Sequence, residues 1–349
     1  MTLVLSGIME NDKRNPKGIA MPDIALRLNK DMLVLSAPLD ARLQDQGFDI
    51  EKDAAYLALF EPDSVRDALR MELLAGATCL VANTASITPA RLTHLSMEDR
   101  ADEFVEASLA VAHELNPQHV LVEIAPCGLP LDASSKASLN ENRSQYARAV
   151  RTFANRDLDA FFLNGFTACD DLKCALMGVR QASDMPVFAS VDVLPSGTLS
   201  SGRGTLAEAV SVMEEYGATV AGFNTGAQAQ DAVRLANEAA AACDLPLLVQ
   251  LHVAERNPKQ GKSTEENPYY CPDAMVDVAV QLRGAGAQFL RATGAATPAY
   301  TGVLAAAVTG YDVTPSAAEK QEKEEAPGSL EDLVAAARAE IAAAMGKES

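Results

Sequence analysis

Short apolar runs alternate with longer amphipathic stretches along most of the chain. The runs have the length and continuous apolar character of strands that are buried on both faces of a parallel sheet. Eight of them are predicted as strands: 33–36, 79–82, 120–124, 160–163, 187–191, 219–223, 247–251 and 288–290. The Ala-, Leu- and Glu-rich stretches between them are predicted as helices over 62–74, 97–115, 140–155, 170–182, 205–216, 227–242, 272–283 and 298–307.

Glycine and proline mark the boundaries of these elements. Gly76, Gly217 and Gly286 each follow a predicted helix and precede a predicted strand, as glycines that end helices do. Pro62 and Pro272 lie at predicted helix starts. The N–H groups of the first turn make no hydrogen bond within the helix, so proline, which lacks an N–H, is tolerated there. The same event therefore recurs along the chain: a helix ends, the chain reverses and a strand begins.

Eight strand–helix units predict a closed (β/α)8 TIM barrel of the α/β class over residues 33–312. The alternative is a doubly wound open sheet, which expects a glycine-rich phosphate loop after its first strand. Here the first strand is followed by Ser-Ala-Pro-Leu-Asp, with no glycine before Gly47. The pattern therefore favours the barrel.

Two flanking segments differ in composition from the barrel. Residues 1–32 are a polar extension that either plugs the bottom of the barrel or is partly disordered. Residues 313–349 begin as a charged linker and continue as a predicted amphipathic helix. Its apolar stripe consists of Leu330, Leu333, Val334, Ala337, Ile341 and Met345. This helix either packs on its own barrel or docks on a partner.

Composition and charge exclude several classes of function. The chain has 349 residues and a net charge of -19, which disfavours binding to nucleic acid or to an anionic membrane. No apolar run reaches the length of a membrane helix, and the N-terminus lacks the basic region of a signal peptide. The six cysteines form no C-x-x-C pair, which favours a reducing compartment. The sequence predicts a soluble, cytoplasmic protein with a small-molecule substrate, and it leaves the oligomeric state open.

In a barrel of this kind the active site lies at the carboxyl ends of the strands. The ionisable candidates for general acid or base catalysis there are Glu123, Asp192 and His252. Arg291 either pairs with a carboxylate across the mouth or holds a substrate carboxylate. The predicted substrate-binding residues are Ser36, Asp40, Asn83, Thr84, Asn164, Asn224, Thr225, Arg291 and Thr293.

Four phrases in the chain, in order, resemble the homocysteine S-methyltransferase family over about residues 33–308. They are ALRMELLAGATCLVANTASITPARL at 68–92, IAPCG at 124–128, GFNT at 222–225 and ATGAATPAY at 292–300. The family includes betaine–homocysteine methyltransferase and the N-terminal module of cobalamin-dependent methionine synthase. The resemblance implies a barrel that transfers a methyl group to the sulfur of homocysteine, activated by zinc on three cysteines.

The sequence departs from the family at the zinc-binding positions. The residues that match the three cysteines are Thr225, Thr293 and Gly294, which supply no thiolate. Asn164 stands in place of the acidic residue that helps to hold the substrate amino group. We therefore expect the fold to carry over, and no zinc to bind at these positions.

Three hypotheses about function remain. The first is a diverged methyltransferase without the zinc-thiolate mechanism. Its methyl transfer is linked either to cobalamin carried by a partner corrinoid protein, which docks on 313–349, or to a small-molecule methyl donor or acceptor. The second is a non-catalytic small-molecule-binding or regulatory pseudoenzyme of the same fold. An aldolase-type or sugar-phosphate barrel has less support, because no predicted strand ends in lysine. A replacement metal site of Glu123, Asp192 and His252 also stays open.

Overall fold

A computed structural model of the chain describes residues 23–255 and 261–313. Eight parallel strands follow one another around a single sheet, and β1 pairs with β8. The strands are β1 (Leu33–Val34), β2 (Cys79–Ala82), β3 (His119–Ile124), β4 (Ala160–Phe166), β5 (Val187–Asp192), β6 (Val220–Thr225), β7 (Leu247–Val253) and β8 (Ala287–Gly294). Every predicted strand is present, and β4 to β8 each extend beyond the predicted C-terminal end.

The seam between β1 and β2 closes this sheet into a barrel. Leu35 bridges Cys79 in parallel, and the Ser36 N–H donates a hydrogen bond of 2.9 Å to the Cys79 carbonyl. The Ser36 Oγ also accepts a 2.9 Å hydrogen bond from the Val81 N–H. The prediction of a (β/α)8 barrel is confirmed, and the open doubly wound sheet is wrong.

Helices surround the barrel on its outer side. They are α1 (Asp40–Asp45), α2 (Ile50–Phe60), α3 (Pro62–Ala75), α4 (Pro89–His94), α5 (Ala101–His113), α6 (Lys136–Arg151), α7 (Cys169–Ala182), α8 (Leu206–Glu215), α9 (Ala229–Ala242), α10 (Ala274–Gly284) and α11 (Pro298–Val308). The sequence did not predict α1, α2 or α4. No helix among residues 23–255 and 261–313 is both long and apolar enough to cross a membrane.

The barrel interior changes from apolar to polar along the strands. Its lower part is an apolar cluster that includes Leu35, Leu121, Phe162, Phe188 and Phe289, all buried. The second core cluster fills the space between the sheet and the helices. Side chains alternate between the two faces of a strand, so every second residue points into the barrel. Nearer the carboxyl ends of the strands, these inward residues are polar. Those positions form the candidate site.

Residues 23–32, the described part of the predicted N-terminal extension, lie at the bottom of the barrel. A 3₁₀ helix at Ile24–Arg27 buries Ile24 completely in the interior cluster. The Arg27 guanidinium lies 3.2 Å from the His119 ring, and Gln288 donates to the Arg27 carbonyl at 2.7 Å. These residues therefore plug the barrel. The predicted linker and helix at 313–349 lie outside the described residues, apart from Val313.

Candidate active site

Inward side chains at the carboxyl ends of the strands form two polar layers. On β7 these are Gln250 and then His252, and on β8 they are Arg291 and then Thr293. The strand register places Gln250 beside Arg291 and His252 beside Thr293. The lower layer therefore contains a buried guanidinium, and the upper layer faces the mouth.

Arg291 forms the centre of the lower layer and is only 1% exposed. Its Nε donates to the Ser36 carbonyl at 2.8 Å, and one terminal nitrogen donates to Gln250 Oε1 at 3.2 Å. The other terminal nitrogen pairs with Glu123 Oε2 at 3.3 Å. The guanidinium also lies 5.2 Å above the ring of Phe162. Of the two roles predicted for Arg291, the structure shows the ion pair across the barrel.

The hydrogen-bond network continues through two amides and a hydroxyl. Asn164 donates to Glu123 Oε1 at 2.8 Å, and Gln250 donates to Asn164 Oδ1 at 2.8 Å and to Ser190 Oγ at 2.7 Å. Gln250 and Ser190 are fully buried, and the sequence analysis did not predict them. Each lies two residues before a predicted site residue on its strand, so the two-residue period of a strand could have identified both.

The upper layer joins three strands through one chain of hydrogen bonds. Thr293 Oγ1 donates to Asn224 Oδ1 at 2.8 Å, and Asn224 Nδ2 donates to Asp192 Oδ1 at 2.9 Å. Asp192 and Asn224 are also register partners on β5 and β6. The structure therefore brings these three predicted residues together and fixes the orientation of the Asp192 carboxyl group.

The His252 ring lies at the mouth between two glycines, and its side chain is exposed. A methyl group added to Gly294 would lie 2.5 Å from His252 Cε1 and 2.8 Å from Nδ1. A methyl group added to Gly226 would lie 3.9 Å from the His252 side chain. The Val253 carbonyl oxygen is closer still, at 2.4 Å, so the backbone of β7 and the imidazole together occupy the space that a side chain at position 294 would need.

Carboxyl groups dominate the electrostatics of the mouth. Burial raises the pKa of Asp192; the hydrogen bond from Asn224 and the charge of His252 lower it, and Glu123 raises it. Asp40, the first residue of α1, keeps contact with solvent at the mouth, yet burial raises its pKa and Glu123 raises it further. Arg291 acts in the opposite direction on Asp40. The site therefore favours cations or protons.

Glu72 is a further carboxyl group of this region that the sequence analysis did not place in the site. It lies on α3 and is 3% exposed. Its Oε2 accepts hydrogen bonds from the Ala37 N–H at 2.9 Å and from Thr301 Oγ1 at 2.5 Å. Burial raises its pKa, and these hydrogen bonds and Arg291 lower it. The sequence could have pointed to Glu72 as a site residue, because an acidic side chain on the buried face of a helix is unusual.

Other predicted binding residues hold the local backbone. Thr84 is fully buried, and its Oγ1 donates to the Glu123 carbonyl at 2.9 Å. Thr225 Oγ1 accepts a 3.2 Å hydrogen bond from the Ala227 N–H, and Ser36 lies at the β1–β2 seam. The Asn83 carbonyl accepts from Ser108 Oγ at 3.2 Å. These contacts shape the loops around the mouth.

The residues present do not fit a zinc-thiolate centre. Thr225 and Thr293 use their hydroxyls in internal hydrogen bonds, and Gly294 has no side chain. Within 23–255 and 261–313, no group of three or more His, Cys, Asp or Glu side chains is placed to hold a metal ion. Glu123, Asp192 and His252 therefore do not form the alternative site. Cys127 is buried and its thiol donates to Asn142 at 3.1 Å.

Comparisons with known proteins agree with this architecture. Residues 33–299 match the sequence model of the homocysteine S-methyltransferase family. The metallated form of homocysteine methyltransferase MmuM from Escherichia coli is similar with a TM-score of 0.65 and 15% identity, over 79% of this chain and 96% of that one. Its oxidized form has a TM-score of 0.66 and 16% identity, over 81% and 99%. These structural likenesses show the fold. No curated protein matches the chain significantly.

Proposed function

Because the chain belongs to the homocysteine S-methyltransferase family, we propose that it transfers a methyl group between small molecules without zinc-thiolate activation. The observation that carries the proposal is the set of side chains at the three positions that match the family's zinc cysteines. Two are hydroxyls in internal hydrogen bonds, and the third is a glycine under the His252 ring. None can supply a thiolate to zinc.

The polar layers support catalysis rather than an empty scaffold. A guanidinium that is 1% exposed is satisfied by four neighbours, and the Asp192 carboxyl is oriented by Asn224. Buried polar groups are costly unless each has a partner, so such a network is typical of a pre-organised site. The exposed His252 ring above it gives a substrate access to an ionisable group. These features favour an enzyme over the pseudoenzyme alternative.

A corrinoid is the methyl carrier in this proposal. Support comes from the resemblance to the homocysteine-binding module of cobalamin-dependent methionine synthase. The carrier would be held by a separate protein that binds 313–349, whose sequence combines a charged stretch with an apolar stripe.

The direct test is methyl transfer between methylcobalamin and a panel of thiols, including homocysteine. The protein is prepared without a metal-affinity tag, and its metals are measured by inductively coupled plasma mass spectrometry. We expect the corrin absorbance to change with at least one acceptor at near-zero zinc content, and the methylated product to be found by mass spectrometry. Retained acceptor binding without any transfer would instead favour the pseudoenzyme.

A second variant set tests the docking role of 313–349 separately. The double variant L333E/I341E places two negative charges on the apolar stripe of the predicted helix. The control double variant A339E/A343E places the same charges on the opposite face. The first pair should weaken transfer from a corrinoid protein but not from free methylcobalamin. Equal effects of the two pairs would contradict docking through the stripe.

A further inference from the structure

We propose that Asp192 is the catalytic base that removes the proton from the methyl acceptor, and that Asn224 and Thr293 position its carboxylate. This assignment rests on the proposed methyl transfer and names the group that replaces metal activation. It also defines the acceptor as a molecule that enters with its reactive X–H group protonated, such as a thiol. The hydrogen bonds, the backbone and the charges around Asp192 carry the assignment.

The Asp192 carboxylate is oriented by side chains from two other strands. Asn224 on β6 donates to its Oδ1 at 2.9 Å, and Thr293 on β8 donates to Asn224 Oδ1 at 2.8 Å. Because the Thr293 hydroxyl binds the amide oxygen of Asn224, the amide nitrogen faces Asp192. Among residues 23–255 and 261–313, no other group donates to the Asp192 side chain, so its Oδ2 can accept a substrate proton.

The backbone on either side of this carboxylate is also held. Asp192 is the last residue of β5, and its carbonyl accepts a 2.9 Å hydrogen bond from the Ser200 N–H in the loop that follows. The next N–H along the chain, that of Val193, donates to the Asn224 carbonyl at 2.9 Å. A base that is fixed in this way has little freedom left to lose when a substrate binds.

The Asp192 carboxylate has no counter-ion in the described part of the chain. The buried guanidinium of Arg291 pairs with Glu123, at 3.3 Å, and Asp192 forms no ion pair with a described residue. Burial raises the pKa of Asp192, the hydrogen bond from Asn224 and the charge of His252 lower it, and Glu123 raises it. A half-buried carboxylate without a counter-ion takes up a proton more readily than an exposed aspartate, which is the property that a base needs.

The charge of the mouth explains why the acceptor needs a base. Asp40, Glu123 and Asp192 act on one another electrostatically there, and Arg291 is already paired with Glu123. An excess of carboxylates disfavours the entry of a free anion such as a thiolate. The acceptor therefore enters as X–H and loses its proton inside the site.

The transfer step balances without a metal. The proton of X–H moves to Oδ2 of Asp192, and the electron pair left on X forms a bond to the methyl carbon. The bond from that carbon to the donor breaks, and its electron pair stays with the donor, which for methylcobalamin gives cob(I)alamin. The carboxyl group, which is only half-buried at the mouth, then releases its proton to solvent.

The activity test compares wild type with D192N across thiols of graded acidity. Asparagine keeps an oxygen that can accept from Asn224 but takes up no substrate proton, and loss of a general base costs roughly 100-fold or more in rate. We expect that loss with weakly acidic thiols, and a much smaller one with thiols that are already ionised. The control D244N, an exposed position before β7 at the opposite end of the barrel, should behave as wild type. An equal loss across the series, or none, would overturn the assignment.

The positioning role of Thr293 is tested by T293V, which removes the hydroxyl, and by T293S, which keeps it. T293V should lower kcat by about 2- to 10-fold, the effect of one hydrogen bond, and leave KM unchanged. The loss should grow as the thiols become less acidic, because the defect lies in proton removal, and T293S should restore the rate. A loss that is the same for every thiol, or that T293S does not restore, would overturn the positioning role.

A measurement independent of activity tests the state of the carboxyl group. The titratable groups that face Asp192 are Glu123 on β3 and His252 on β7, and Asn224 on β6 donates to it. NMR of the carboxyl carbon, assigned by comparison with D192N, should give a pKa above the ordinary 3.8 in wild type and a higher pKa still in N224A. The transfer rate should fall as pH drops through that pKa, since the base must be ionised. A pKa at or below 3.8, or one that N224A leaves unchanged, would contradict the assignment.

Failure of this assignment is separable from failure of the proposed function. Wild-type protein that transfers no methyl group removes both, whereas methyl transfer that D192N preserves removes the assignment alone.

Discussion

Substitution of Glu123 by glutamine should destabilise the barrel, because it breaks a buried ion pair. The side chains of Arg291 and Glu123 are 1% and 18% exposed, so the guanidinium would keep its charge with little solvent to compensate it. Glu123 accepts hydrogen bonds from both Arg291 and Asn164, one on each carboxylate oxygen. In the glutamine variant one of these oxygens becomes an NH₂ group, which would face a donor and could not accept its hydrogen bond. Breaking such a pair costs about 3–5 kcal/mol. We expect about 3 kcal/mol, because Glu123 is partly exposed.

Urea unfolding followed by circular dichroism measures this change. The matched control is E103Q, which removes the same charge from the exposed pair of Glu103 with Arg100, whose side chains are 62% and 36% exposed. Exposed pairs contribute about 0–1 kcal/mol, so E103Q should stay within that range of wild type. Equal free energies of unfolding for E123Q and E103Q would refute the view that the Arg291 network holds the barrel together.

Three further predictions concern other buried positions. Glu72 has a raised pKa in the fold, so it holds a proton where unfolded Glu72 has lost it, and its contribution to stability falls as pH rises through the folded pKa. E72Q should therefore gain stability relative to wild type in urea unfolding as pH rises above 4.5, the ordinary pKa of a glutamate, and a parallel pH dependence would refute this. G178A should cost about 1–3 kcal/mol in the same assay, because its methyl group would lie 2.5 Å from the Arg143 carbonyl of α6. G284A, with nothing within 4 Å, should instead be neutral or stabilising, and a reversed order of the two would contradict the packing. Cys79, whose pKa burial raises to about 12, should resist alkylation at neutral pH in the folded protein, as checked by mass spectrometry.

The barrel could be predicted because buried parallel strands leave a clear signal in the sequence. Each predicted strand is a short apolar run, and each is present in the structure. The helices α1 and α2 gave a weaker signal. The six residues of α1 have no side-chain cap, and α1 and α2 are anchored by the burial of Leu43, Ala55 and Leu57 in the core. Tertiary packing, rather than local propensity, accounts for such short helices.

The site could be predicted only as a set of strand ends. The sequence placed Asp192, Asn224, His252 and Thr293 at one mouth, and the structure joins three of them by hydrogen bonds. It could not predict that Arg291 bonds the Ser36 carbonyl, 255 positions away in the chain. The strand ends were also set too early, because a polar inward residue such as His252 follows the apolar run but still belongs to the strand.

The central claim is that the chain transfers methyl groups without zinc. The most direct measurement is the rate of methyl transfer from methylcobalamin to the best thiol acceptor, with zinc measured in the same sample before and after chelation. The account predicts that the rate persists at near-zero zinc and does not rise when zinc is added back. A rate that follows zinc up to one ion per chain would contradict it.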